Sequence, residues 1–166
     1  MSYGNTVKDG DAGTAYWLLV DDDGRLVVVP AWELELGSDT AADDSDKSFT
    51  VPATTEWKIL SIWVELTTTA TVGDRQIEVQ IQDGTTDVIM EFKVGAVQAA
   101  SLTRYYLLTS EIADLTAFRD TDYLSTTIPE FVLPASYIIR VWDNAAIDAA
   151  ADDMVVHIRR SIRTVT

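Results

Sequence analysis

The sequence has no cysteine, a single histidine, and only 12 basic residues against 27 acidic ones. Without cysteine, disulfides, iron–sulfur clusters, cysteine-rich zinc sites and thiol nucleophiles are all excluded. The net charge of −15 repels nucleic acid phosphates and anionic lipid, so we expect no nucleic acid and no membrane partner. The opening residues, MSYGNTVKDGDAG, lack a basic segment followed by an apolar one, and no apolar run is long enough to span a membrane. A soluble protein is therefore expected.

Catalytic chemistry has few candidates in this sequence. The histidine, His157, stands between Val156 and Ile158 in a predicted strand, which is typical of a strand-face residue rather than a base. Glu65 and Glu91 are the nearest candidates for the paired carboxylates of a glycoside hydrolase, yet each is more simply an outward residue of its strand. The eight glycines are scattered singly, which excludes a phosphate-cradling loop. We therefore expect no catalytic and no cofactor-binding residues, and not an enzyme.

The stretch WDNAAIDAAADDM, residues 142–154, is the best candidate for a metal site because it places four carboxylates between two apolar segments. Its acids, Asp143, Asp148, Asp152 and Asp153, lie at spacings that match no calcium-binding loop. Short polar side chains in such a stretch hydrogen-bond loop amides that no strand satisfies. We expect these carboxylates to shape a rigid connection between two strands. Calcium stays open as the alternative, and no metal ligand is assigned.

Alternation of apolar and polar residues predicts β-strands through most of the chain. The segment RQIEVQIQDG predicts a half-exposed strand with an inward set of Ile77, Val79 and Ile81. The segment EWKILSIWVELTTTAT predicts a strand covered on both sides. One of its faces is predicted to hold Leu60, Ile62, Val64 and Leu66, and the other Trp57, Ile59 and Trp63. The last strand is predicted to carry on one face Met154, Val156, Ile158, Arg160 and Ile162.

About seven or eight such strands with turn signals between them predict an all-β protein built as an antiparallel β-sandwich. Two long connections, residues 110–127 and 144–153, lack strand periodicity, and Ser110 is a candidate cap for one short helix that runs through Arg119. The jelly roll is favoured because its Greek-key crossings need long connections. An immunoglobulin-like sandwich is the open alternative.

Residues 1–36 are predicted to form an N-terminal arm with a β-hairpin. The runs YWLLV and RLVVV, joined by Asp-Asp-Asp-Gly, predict hairpin strands at 16–20 and 25–29. Residues 37–48 are acidic and poor in apolar side chains, which predicts a flexible linker before a sandwich domain at 49–166. Because both hairpin strands are apolar at nearly every position, they need cover that a hairpin alone lacks. The predicted partner-binding residues of the arm are Tyr16, Trp17, Leu18 and Trp32.

Aromatic residues are the remaining resource, with five tryptophans and six tyrosines. Tyr105, Tyr106, Tyr123 and Trp142 lie near predicted strand ends or loops, where such rings can form a platform for sugars. In β-sandwiches such rings more often serve as core or subunit-interface anchors. We favour the second interpretation.

Three segments together resemble a type of tailed-bacteriophage virion protein: SFTVPATTEWKILSIWVELTTTATVGDRQIEVQIQDG, GAVQAASLTRYY and LPASYIIRVWDNAAIDAAADDMVVHI. The shared pattern is a strand that ends in T/V-GxR, then ASLTRxY, then LPAxxxIRVxD followed by AAxDAAADDM. It extends from about residue 48 to the end of the sequence. Proteins of this type are small accessory structural components, often jelly rolls that decorate or cement the capsid. The resemblance implies no catalytic residue.

These observations lead to one expectation about function and two alternatives. We expect a non-enzymatic phage structural protein on the capsid exterior, a decoration or cement protein that bridges subunits of the major capsid protein. Assembly as a dimer or trimer would multiply its weak contacts. The alternatives are a head-fibre or tail protein that binds host glycans, and a neck or tail connector.

Overall fold

Strands account for all the regular structure in the computed structural model, which describes residues 5–8, 15–20, 26–27, 31–110 and 122–165. They are β1 (Asn5–Lys8), β2 (Ala15–Val20), β3 (Leu26–Val27), β4 (Glu33–Asp39), β5 (Asp46–Thr50), β6 (Thr55–Thr67), β7 (Ile77–Gln82), β8 (Val88–Lys93), β9 (Thr103–Thr109), β10 (Tyr123–Thr127), β11 (Phe131–Leu133), β12 (Ile138–Asp143) and β13 (Asp153–Thr164). Among these residues no helix is long and apolar enough to cross a membrane. The helix predicted after Ser110 falls at 111–119, outside the described residues.

The chain divides into two compact units, Met1–Ala31 and Trp32–Thr166. In the first unit, β1, β2 and β3 form an antiparallel sheet in that order. The pair β2 and β3 is the predicted hairpin, with Leu19 opposite Val27. β1 is a further strand that the sequence pattern did not indicate.

The predicted linker at 37–48 differs from the structure, because β4 runs as far as Asp39 and β5 begins at Asp46. β4 pairs with β13 and β5 pairs with β12, so both belong to the second unit. Several of the acids surround the buried ammonium of Lys47, which lies 3.0 Å from Asp44 and 3.9 Å from Asp39. Composition alone shows an acidic, hydrophilic segment, whereas the fold neutralises part of its charge. The two compact units are divided between Ala31 and Trp32.

The second unit is a β-sandwich with jelly-roll strand order. Sheet I has the order β10-β9-β6-β13-β4, with β11 also paired to β6, and sheet II has the order β5-β12-β7-β8. Within sheet I, β4-β13-β6-β9 complete the eight strands of a jelly roll with the four of sheet II. The predicted all-β sandwich is confirmed. One pairing departs from the antiparallel expectation: β10, inside the predicted irregular excursion at 110–127, runs parallel to β9.

The core lies between the two sheets and is built from alternate residues of strands in both. The predicted inward residues of β7, Ile77, Val79 and Ile81, are at most 1% exposed. In β13, the predicted face is also confirmed: Met154, Val156 and Ile158 are fully buried. Several turns between strands need positive φ angles, such as Thr86 at 72° between β7 and β8.

The predicted faces of β6 are wrong at one end because the strand contains a β-bulge. Ser61 lies opposite Arg159 and Ile59 opposite Arg160, so Leu60 is an extra residue with no partner on β13. An extra residue shifts the alternation of the strand by one position. Trp57 and Ile59 therefore point into the same core as Ile62, Val64 and Leu66.

Candidate interaction face

The predicted metal-binding stretch forms the connection between β12 and β13, at one end of the sandwich. Its central contact is an ion pair between Asp152 and Arg75, both fully buried. Arg75 donates from Nε to Asp152 Oδ2 at 2.7 Å and from Nη2 to Oδ1 at 3.2 Å. Its Nη1 donates to the carbonyl oxygens of Thr71 and Gly73. This bidentate geometry is typical of a carboxylate paired with a guanidinium, and the ion pair joins two loops that are distant in sequence.

Asp148 and Asp143 hold the same connection by different means. Asp148 Oδ2 accepts hydrogen bonds from the hydroxyls of Thr69 at 2.6 Å and Thr71 at 2.8 Å, and these bonds lower the pKa of its carboxyl group. Asp143 Oδ1 accepts from the amides of Gln76 and Ala145. Because Asp143 is buried and its Oδ2 accepts no hydrogen bond from the described residues, desolvation raises the pKa of its carboxyl group.

This loop end is therefore a structural network, as the sequence predicted for its carboxylates. Asp152 and Asp143 accept hydrogen bonds from loop amides, which is the predicted role. Among the described residues, no cluster of acids and histidine is arranged to hold a metal ion. Arg75 was not predicted as a site residue, although it and Asp152 both lie in segments that carry the phage resemblance, VGDR and AAADDM.

Tyr106 and Gln98 extend the network towards the core. Tyr106 is 1% exposed and its hydroxyl donates to Gln98 Oε1 at 2.8 Å. Gln98 Nε2 donates to the carbonyl oxygens of Leu66 and Leu102. Tyr106 is thus a core residue, as the favoured interpretation predicted. Trp142 lies on the outer face of sheet II, where the guanidinium carbon of Arg140 is 4.1 Å from its ring centre.

The three residues considered for catalysis do not come together. Glu65 lies on β6 of sheet I and Glu91 on β8 of sheet II. The residues next to each of them along the strand point towards the inside of the sandwich, so the two carboxylates point outward, on opposite outer faces of the sandwich. His157 occupies the outer face of β13, where its ring centre is 5.3 Å from that of Trp63. It is a strand-face residue, as predicted.

The outer face of sheet I carries a row of aromatic rings that crosses four strands. The row, here called the aromatic row, consists of His157, Trp63, Tyr105 and Tyr123. Trp63 stacks on Tyr105 with ring centres 5.9 Å apart, and Tyr105 stacks on Tyr123 at 4.6 Å. The charge of Glu65, on the neighbouring strand, raises the pKa of Tyr105. Stacked rings cover part of one another's faces, which leaves less free ring surface for a sugar.

The edge of the same sheet carries a second apolar feature, the edge stripe, formed by Trp32, Leu34 and Leu36. Leu34 and Leu36 alternate with glutamates along β4 and are 63% and 62% exposed. Trp32 is 37% exposed and lies under the guanidinium of Arg163, 4.7 Å from the ring centre. Among the residues that the structure describes in the second unit, more than half of the exposed large apolar side chains lie on the outer face of sheet I: Trp32, Leu34, Leu36, Leu107, Tyr123 and Val132.

The predicted partner-binding residues fall into both units. Tyr16, Trp17 and Leu18 are in β2, where they pair with Val7, Thr6 and Asn5 of β1. Trp32, predicted as part of the arm, belongs to the second unit and begins the edge stripe. An exposed apolar face of this extent is typical of a surface that another protein covers.

No protein-family model and no curated protein matches this sequence. Among solved structures, the chain is similar to the infectious bursal disease virus (IBDV) particle of T13 type, with a TM-score of 0.33, 11% identity and coverage of 87% of this chain. It spans 39% of the length of that chain. It is also similar to Desmodium yellow mottle tymovirus, with a TM-score of 0.31, 10% identity and coverage of 84% of this chain and 91% of the other. A third match is the VP2 subviral particle of infectious bursal disease virus, with a TM-score of 0.27, 11% identity and coverage of 98% and 42%. At these scores the likeness carries no inference about what this chain does.

Proposed function

We propose that this protein is a non-enzymatic structural component of a bacteriophage virion that decorates the capsid exterior and cements it by bridging subunits of the major capsid protein. The observation that supports this proposal is the edge stripe, an exposed apolar feature at the edge of sheet I, on a jelly-roll body. Jelly rolls are a recurrent fold of capsid proteins, and an uncovered apolar face needs a protein partner. The phage resemblance of the sequence gives the class of particle.

The arm and the edge stripe are the proposed capsid contacts. β2 carries Tyr16, Trp17 and Leu18, an apolar run that a small three-stranded sheet has little means to cover. In the edge stripe, burial of Leu34 or Leu36 against a capsid subunit would contribute about 1–2 kcal/mol each, since more than half of each side chain is exposed. β4 is also the last strand of sheet I, so its outer backbone groups are available to a strand of the partner.

The test is binding of the full-length protein to phage shells that lack it, measured by co-sedimentation. One variant replaces Tyr16, Trp17 and Leu18 with serine, and a second carries Leu34→Lys and Leu36→Lys. We expect each to bind more weakly than the wild type, because each removes apolar contact area. The matched control is Val72→Lys, which alters an apolar side chain that is 91% exposed in the loop between β6 and β7, outside both the arm and the edge stripe.

Two outcomes would contradict the proposal. If both variants bind as the wild type does, the arm and the edge stripe are not the contacts. If the protein in intact particles is confined to one ring at the neck, it is a connector rather than a cement protein, and cryo-electron microscopy of the particle shows which. Binding to a glycan array that is lost on Tyr123→Ala would favour the fibre or tail alternative.

A further inference from the structure

Three charged side chains on the outer face of sheet I have no partner within residues 31–110 and 122–165: Arg159, Glu65 and Asp153, the last at the start of β13. Arg159 is exposed and Glu65 is half-buried, and neither forms an ion pair or hydrogen bond there. The other cations described with side chains all contact an oxygen atom, either of a carboxylate or, for Arg104, of the Val97 carbonyl: Lys47, Lys58, Arg75, Lys93, Arg104, Arg140, Arg160 and Arg163. An arginine without a partner among the described residues is unexpected in a chain with 27 acids.

Glu65 and Arg159 lie on opposite sides of the centre of the aromatic row. In the register of β13 and β6, His157 is opposite Trp63. One step along the face in one direction, Val155 is opposite Glu65, and one step in the other direction, Arg159 is opposite Ser61. β6 and β13 are central strands of sheet I, so the His157 and Trp63 pair lies near the middle of the face.

We propose that a second copy of this chain binds on this face, related by a two-fold axis that passes over His157 and Trp63 at right angles to the strands. Such an axis reverses the strand direction of the second copy. It therefore brings Glu65 of each copy towards Arg159 of the other and places the two aromatic rows against each other. A two-fold contact of this kind uses the same patch on both chains, which must be complementary to itself.

The charge pattern favours this occupant over a different protein. A basic partner would be attracted by Glu65 but repelled by Arg159. An acidic partner would be attracted by Arg159 but repelled by Glu65. The same face on a second copy satisfies both charges at once and covers Leu107, Trp63 and Tyr105 in the same step. Complementary charges of this kind mainly determine which partner and which register are chosen.

The experiment is sedimentation velocity of the full-length protein over a range of concentrations, without phage shells. We expect a concentration-dependent dimer for the wild type. Arg159→Glu alone and Glu65→Arg alone place like charges against each other, so each should weaken dimerisation at least about tenfold. An equal mixture of the two variants should restore the dimer, because every facing pair is then of opposite charge. Circular dichroism shows whether each variant is folded.

Asp74→Arg is the matched control, since it makes the same charge change as Glu65→Arg at an exposed loop position. It should dimerise as the wild type does. A wild type that stays monomeric or forms trimers would overturn the proposal, and so would a mixture that remains monomeric.

Leu36 is opposite Arg159 in the pairing of β4 with β13, so the dimer would cover this residue, whereas Trp32 and Leu34 lie farther from the axis and stay available to the capsid. Because no shell is present, the test of the dimer and the test of the capsid contacts have separate readouts.

Discussion

The ion pair between Arg75 and Asp152 is the residue-scale contact on which the loop end depends. Both side chains are fully buried, so removal of one charge leaves the other without compensation. We expect Asp152→Asn to lower the free energy of unfolding by about 3–5 kcal/mol, measured by urea denaturation. The control is Asp46→Asn, which breaks the partly exposed pair with Arg140 and should cost about 1 kcal/mol or less. Equal losses in the two variants would contradict this assignment.

Two aspartates of the same connection are expected to affect stability with opposite dependence on pH. The pKa of Asp148 is lowered by the Thr69 and Thr71 hydroxyls, so its carboxylate stabilises the fold above the ordinary value of 3.8, and this contribution is lost as the pH falls through the folded pKa. The pKa of Asp143 is raised by burial, so the folded state keeps that proton longer, and stability falls as the pH rises from 3.8 through the folded value.

Unfolding by urea at a series of pH values checks this pair of predictions. Asp148→Asn should flatten the loss of stability on the acid side, and Asp143→Asn should flatten the decrease above pH 3.8. Each variant is the control for the other. If both flatten the same side of the profile, one of the two assignments is incorrect.

At the scale of single strands, β4 depends on a close approach between Gly37 and Arg160. A Cβ atom at Gly37 would lie 2.7 Å from Nη1 of Arg160. That guanidinium has little freedom to move, because it stacks on Trp57 at 3.6 Å and donates to Glu35 at 2.7 Å. We expect Gly37→Ala to destabilise the protein by about 1–3 kcal/mol and to speed hydrogen exchange in β4 but not in β6.

Gly95→Ala is the control for this prediction, since a Cβ atom there meets no other atom within 4 Å. It should leave both stability and the exchange of β4 unchanged. If Gly37→Ala behaves in the same way, the contact with Arg160 does not hold β4.

Strand prediction from the sequence succeeded where apolar and polar residues alternate regularly. It failed where pairing with a neighbouring strand determines which way the side chains point or whether a segment is a strand at all. β7 and β13 alternate without interruption, so their inward residues could be assigned. The bulge at Leu60 is visible only when β13 is placed beside β6. β5 was predicted to be a linker because it is rich in charged residues. The partners that neutralise these charges, such as Arg140 for Asp46, become visible only in the fold. β10 was missed because a five-residue strand with three threonine or serine residues has weak periodicity.

At the scale of the whole molecule, the second unit has its own core, whose residues all lie between Phe49 and Ile162. We therefore expect a fragment of residues 32–166 to fold without the first unit and to melt within a few degrees of the full-length chain. Circular dichroism with temperature measures this. A fragment that begins at residue 37 is the comparison: it lacks most of β4 and should be less stable. An unfolded 32–166 fragment would contradict the division of the chain at residue 31.

The class of fold could be predicted from the sequence, whereas the candidate interaction face could not. Turn signals and alternation describe each strand separately and suffice for a sandwich. The aromatic row joins residues of β13, β6, β9 and β10, and Glu65 and Arg159 are far apart in sequence. Their adjacency depends on which strands are neighbours and in what register, and no local pattern contains that information.

The network around Arg75 has a practical consequence for anyone who would use this protein as a scaffold. Foreign peptides inserted near Thr69, Asp148 or Gln98 would separate loops that buried hydrogen bonds hold together. The turn of Gly84, Thr85 and Thr86, between β7 and β8, is exposed, and the hydrogen bond that Thr85 makes there is local to the turn. It is therefore the better place to graft an epitope or a tag.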